Sequence, residues 1–117
     1  MTVDHSGFVY DSVVEFVENY LILVYRRDLA GPTEFAWCPE GFRHAEAAVR
    51  LEALWRAWEH LRRYGAPGLS VWMLDHADPN LRVLLDPRGP FGACSVSGGH
   101  SDEIAPLPVE PMTDTAE

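Results

Sequence analysis

Hydrophobic positions fall in helical register over two long stretches of the chain. In the first, Val13, Val14, Phe16, Val17, Tyr20, Leu21, Leu23 and Val24 make a wide apolar stripe. That spacing predicts a helix over about residues 12–26 that can pack on a core. Ser12 with Glu15 three positions on has the form of a capping box. Arg26 and Arg27 lie in the last turn, where cations suit the negative end of the helix dipole. In the second stretch, Ala47, Ala48, Leu51, Leu54, Trp55, Trp58 and Leu61 share one face of a helix predicted from about His44 to Tyr64. Its other face pairs Glu46 with Arg50, Glu52 with Arg56 and Glu59 with Arg63. Each acid precedes its arginine by four residues, the favourable order, at roughly 0.2–0.5 kcal/mol per pair. Gly65 can leave the helix in a left-handed conformation, and Pro67 opposes its continuation.

The remaining segments are shorter. Residues 28–43 read as a connector, broken by Gly31-Pro32 and Pro39, in which Trp37 and Phe42 flank Cys38 and should cover it. The run LSVWMLDH, residues 69–76, suits a strand or a helix by pattern alone. Asp78-Pro79 reads as an N-cap followed by proline at the first helical position, starting a short helix through NLRVLLD. Both segments are read as short helices, ended by Pro87, Gly89 and Pro90, and Gly98-Gly99 lets the backbone turn before His100. Residues 101–117 hold three prolines, five acids and no basic group. Such a segment buries too little apolar surface to offset the entropy of ordering it. The fold expected is therefore mostly α, with a flexible N-terminus (1–11), a small helical domain (12–101) built on two long amphipathic helices plus short ones, and a disordered acidic tail (102–117).

At 117 residues the chain is one domain's worth. The net charge of −9 owes five charges to the tail, leaving the body at about −4. That balance disfavours nucleic acid as a partner, since neutralising phosphate supplies most non-specific affinity. All nine basic residues are arginine. The start, MTVDHSGFVYDSVVEF, has no basic leader region, and the longest apolar run, LILVY, falls far short of the ~20 residues that span a bilayer. A cytoplasmic location with no membrane partner is the default expectation.

Chemistry enters with one repeated spacing. Cys38 is followed six residues later by His44, and Cys94 six residues later by His100; these are the only two cysteines. Two thiolates and two imidazoles form a common ligand set for a closed tetrahedral Zn²⁺ site. Pro39 and Gly41 allow the first pair to fold back on one ion, and the Gly/Ser loop after Phe91 could bring the second pair to it. The ion would clip together points about 50 residues apart. The complete centre, Zn²⁺ with two thiolates and two neutral imidazoles, has zero net charge and can be buried without the cost of desolvating a charge. The alternative is two small buried cysteines and two surface histidines. A persistent disulfide is disfavoured in a reducing compartment.

Other candidates are weaker. His60 falls on the polar side of the second helix, and His76 lies between Asp75 and Asp78, where a capping role outweighs a catalytic one. Trp37, Trp55, Trp58 and Trp72 suit packing better than an aromatic binding site. Arg43, Arg50, Arg56, Arg62 and Arg63 could form a basic patch, but Glu46, Glu52 and Glu59 interleave with them. No nucleophile elbow, phosphate-cradling glycine loop or His-Glu-x-x-His pattern occurs.

WCPEGFRHAEAAVRLEALWRAWEHLR, then SVWMLDHADPNLRVLLDPRGPFGAC and a trailing Gly-His, resemble an actinobacterial family of domains of unknown function, DUF4913, over about residues 12–101. Similar proteins are typically encoded on plasmids, integrative conjugative elements and phages. The resemblance thus implies an accessory role in a mobile genetic element and transfers no catalytic residue. The expectation is a small zinc-stabilised accessory or adaptor protein that acts by binding an unknown protein partner, and not an enzyme. The alternatives are a DNA-binding regulator using the arginine face of the second helix and, further off, a zinc hydrolase.

Overall fold

The computed structural model describes residues 7–30 and 34–111, so Gly31-Pro32 and the end of the acidic tail lie outside the described residues. The fold is mostly helical, and among the described residues no strand occurs. Helix α1 covers residues 13–24, with α-helix at Val13–Phe16, a π-helical turn at Val17–Leu21 and α-helix again at Ile22–Val24. Ser12 caps it, its side chain accepting the Glu15 amide at 3.2 Å. The Glu15 carboxylate reaches the Asp11 amide, at 3.5 Å, rather than that of Ser12. Helix α2 runs Ala45–Leu61, with a 3-10 turn at Gly41–Arg43 before it and another at Arg62–Tyr64 after it.

Helix α3 departs from the sequence reading. The two short helices expected after residue 68 are one continuous helix over residues 65–85: Gly65–Val71, a π-helical stretch Trp72–Ala77, then Asp78–Leu85. Gly65 does leave α2 with positive φ, 67°, but Pro67 sits in the first turn of α3 instead of simply stopping α2. A proline at the start of a helix sacrifices no needed N–H. Asp78-Pro79 does not start a helix. Both Ala77 and Asp78 are α-helical in backbone, and the Asp78 carboxylate accepts the Tyr25 hydroxyl at 2.6 Å instead of capping. Proline inside an α-helix lacks a donor and collides with the carbonyl four residues back. Here the wider π turn immediately precedes it, and the Asn80 side chain donates to the His76 carbonyl at 2.8 Å.

The core lies where the three helices meet. Phe16, Leu21, Leu51, Leu54, Trp55, Trp58, Trp72, Leu81 and Leu84 are buried. Tyr20 stands 4.8 Å from Trp58 by ring centroids, and Phe16 meets Trp72 edge-on at 6.2 Å. The Trp72 indole donates to the Leu54 carbonyl at 3.0 Å, giving its buried N–H a partner. Full burial of a side chain such as Phe16 or Leu54 stabilises by about 1.5–3 kcal/mol, so this cluster is a principal source of stability. The predicted packing role of Trp55 and Trp58 is thereby met.

Two details revise the charge pattern. Arg50 pairs with Glu46 at 3.0 Å, and Arg56 with Glu52, as the spacing predicts. Glu59 does not pair with Arg63 on a solvated face. It is buried, at 1% exposure, and its partner is Arg62 at 3.1 Å. Its oxygens also accept the amides of Val9 and Tyr10, each at 2.9 Å, and the Trp55 indole at 3.2 Å. Residues 8–10 are thereby tied to α2, with Phe8 edge-on to Trp55 and Tyr10 against Trp58. Contacts between the N-terminal segment and α2 therefore begin before residue 12, while residues 1–6 of the expected flexible N-terminus lie outside the described residues.

Residues 102–111 form no regular element and are exposed, Leu107 and Val109 almost completely. Deleting residues 104–117 is expected to lower the Tm by less than ~4 °C, under about 1 kcal/mol for a domain this size. Calorimetry of the truncated chain checks this, and a larger drop would show that the tail docks.

Candidate metal centre

Two connections carry the four Cys and His residues to one place. In the connector between α1 and α2, the Ala36 amide donates to the Leu85 carbonyl at 2.8 Å, fixing that stretch on the end of α3. The connector then delivers buried Cys38, and the 3-10 turn at Gly41–Arg43 sets His44 at the N-cap of α2. After α3 successive tight turns advance the chain, from Gly89 onto Asp86, Gly92 onto Gly89 and Cys94 onto Phe91, with N–H···O distances of 2.7–3.1 Å. Ser95 and Gly99 then bond each other reciprocally, at 3.1 and 2.7 Å, closing a small turn for which Gly99 takes a φ of 79°. That positive φ suits glycine, and the turn aims His100 back at Cys38.

The four ligand atoms of Cys38, His44, Cys94 and His100 lie within 4.8 Å of one another, close enough to bind a metal ion. Cys38 Sγ is 3.3 Å from His100 Nδ1, and Cys94 Sγ is 3.4 Å from His44 Nε2. Zn–S bonds of about 2.3 Å and Zn–N bonds of about 2.0–2.1 Å would make the S···N edge of a tetrahedron about 3.6 Å, and these two S···N spacings lie close to it. Both cysteines are buried and neither is in a disulfide.

The surroundings suit such a site. Burial pushes the Cys38 thiol above its ordinary pKa, against the pull of the Glu40 backbone amide; a bound cation would reverse this by holding the thiolate. The Ser101 amide donates to Cys94 Sγ at 3.3 Å. Burial, with His100 and Arg43 nearby, holds His44 below the usual imidazole pKa, so it tends toward the neutral form that ligates. His100 Nε2 lies 2.7 Å from Asp102 Oδ1, and Arg43 Nη2 is 3.9 Å from the other Asp102 oxygen.

The apolar cover differs from the expected one. Phe42 is exposed, and the buried Phe91 fills its place, edge-on to both Trp37, at 5.3 Å, and His44, at 5.2 Å. The Cys94–His100 spacing marks the site in the sequence; Phe91 falls in the GPFGAC run that carries the family resemblance but with no covering role read there, and Asp102 is marked only by proximity. The other histidines lie elsewhere. His60 is exposed on α2 and meets Tyr64, and His76 sits on the π-helical stretch of α3, outside the cluster. Asp78 is engaged by Tyr25, so the Asp75–His76–Asp78 run does not converge as a site.

The chain matches the family described as a domain of unknown function (DUF4913) over residues 10–113, a span that includes every residue of the cluster, and it belongs to that family. Comparison with curated proteins and with solved structures returns no match.

Proposed function

We propose that this member of the DUF4913 family is a zinc-stabilised binding protein, an accessory or adaptor without catalytic activity, in which Cys38, His44, Cys94 and His100 hold one structural Zn²⁺. The convergence of four donors from two distant connections within 4.8 Å carries the reading. Two thiolates with two imidazoles select zinc over the oxygen-preferring divalent ions. Four protein ligands leave no open position for an activated water, which separates a structural site from a hydrolytic one.

DNA regulation by the α2 arginines is disfavoured. Arg50 is engaged by Glu46 and Asn80, Arg56 by Glu52, and Arg62 by Glu59 and the Gly7 carbonyl. These pairings engage three of the five arginines of the suggested patch, Arg62 in the turn just after α2, and weaken that face as a phosphate-binding surface. No helix among the described residues is long and apolar enough to cross a membrane. The proposed setting is the cytoplasm. An accessory role in a mobile genetic element belongs to the same proposal and rests on the family resemblance alone.

The test is elemental analysis of protein purified without added metal, where close to one zinc per chain is expected. Folded protein with far less than one equivalent would overturn the assignment. A gel shift with DNA at several salt concentrations should show no binding, and salt-dependent binding would favour the regulator instead.

A further inference from the structure

We infer that Asp102 is a working part of the metal centre, orienting His100 so that its Nδ1 faces the ion. The inference rests on the reading that the cluster binds zinc. It places at the site a residue whose sequence context, the head of an acidic proline-containing tail, suggests only solvation.

The ring of His100 is nearly enclosed, with 5% of its side chain exposed, so its two nitrogens have few partners to choose between. Nδ1 points at Cys38 Sγ, 3.3 Å away, and Nε2 at Asp102 Oδ1, 2.7 Å away. A carboxylate accepts and does not donate, so the ring proton belongs on Nε2. The lone pair then lies on Nδ1, facing inward. A neutral imidazole without this partner can carry its proton on Nδ1 instead and is then unable to ligate. Carboxylates hydrogen-bonded to ligating histidines act in this way, and their loss typically costs about 10–100-fold in metal affinity.

Local geometry puts the carboxylate in place. The Ser95–Gly99 turn sets His100, and the bond from the Ser101 amide to Cys94 Sγ fixes the next residue, which leaves Asp102 beside the ring. Arg43, one residue before His44, faces the other carboxylate oxygen at 3.9 Å. The neutral ZnS₂N₂ centre thus gains a carboxylate together with a nearby counter-charge. The Asp102 side chain is itself 76% exposed, so it contributes little to packing, and its removal should act on the metal and not on the core.

The experiment measures Zn²⁺ affinity of the full-length chain by competition with a chromophoric chelator, for wild type, Asp102→Asn and Asp102→Glu. Asp102→Asn should bind Zn²⁺ about 10–100-fold more weakly, and Asp102→Glu should recover part of the loss. Co²⁺ substituted into Asp102→Asn should show the wild-type d–d bands, because the four ligands are unchanged. Thermal stability in excess chelator should match wild type, which a merely structural role would not predict. Equal Zn²⁺ affinities for Asp102→Asn and a zinc-binding wild type would overturn this inference alone. Shifted Co²⁺ bands would make Asp102 a ligand and overturn its outer role. A wild type that takes up no zinc would overturn the reading of the site, and this inference with it.

Discussion

If Cys38, His44, Cys94 and His100 hold the proposed Zn²⁺, its removal should undo the connections that carry them, and Cys38→Ser and Cys94→Ser should each do the same. Structural zinc sites supply apparent binding free energies on the order of 10 kcal/mol. That is comparable with the whole net stability of a small domain, about 5–15 kcal/mol. Each cysteine supplies one of the four donors, and each lies on a different connection, Cys38 before α2 and Cys94 after α3. Loss of either donor would weaken the proposed ion's hold on both connections. The two costs should therefore be severe, similar and strongly non-additive, with the double variant little worse than either single. Chelator should lower the wild-type Tm by more than ~15 °C, several kcal/mol for a domain of this size. It should leave the variants unmoved. Small additive costs, or a wild type indifferent to chelator at equilibrium, would mean that the thiols are ordinary buried side chains.

The parts of this structure that can be read from sequence are those set by spacing. The repeated interval from Cys38 to His44 and from Cys94 to His100 pointed to one cluster, and the four residues converge. The apolar stripes of α1 and α2 likewise place Phe16, Leu54 and Trp58 in the core, but Val14, Leu23 and Val24 on the α1 stripe are exposed. What escaped depends on tertiary partners. Asp78-Pro79 carries a strong local signal for a helix start, but the π-helical stretch Trp72–Ala77 lets the helix run through it. That widening has no periodic signature. Phe91 covers the cluster although Phe42 lies nearer Cys38 in sequence, because the tight turns after α3 bring its ring against His44. Glu59 matched the solvated pattern of Glu46 and Glu52. Helical spacing could not show that an N-terminal segment lies across it and removes it from water.

Glu59→Ala is expected to be the most damaging single substitution outside the metal cluster. It would strip a buried acceptor from four donors: the Val9 and Tyr10 amides, the Trp55 indole and the Arg62 guanidinium. Breaking one side of a buried charged pair costs about 3–5 kcal/mol, and with Arg62 25% exposed and still bonded to the Gly7 carbonyl the low end applies here. At ~4–8 °C per kcal/mol the Tm should fall by at least ~12 °C. Glu59→Gln should also destabilise, since its amide NH₂ would face donors where an acceptor is needed. The same contacts set a pH dependence. Burial raises the pKa of Glu59, but the Tyr10 and Val9 amides, Arg62 and Trp55 together outweigh it, and the pKa lies below its ordinary value of 4.5. With the folded value depressed, the contribution is fully present above the unfolded pKa and is lost as pH falls through the folded one. Acid should therefore destabilise the wild type below about pH 4.5 more steeply than Glu59→Gln, whose residue 59 does not titrate. Parallel acid profiles for the two proteins, read by tryptophan fluorescence in chelator to remove the metal's own pH dependence, would show that Glu59 does not hold the N-terminal segment by its charge. Deleting residues 1–10 supplies the structural arm of the test. Glu59 then faces water, and Glu59→Ala in that background should cost far less than in the full chain.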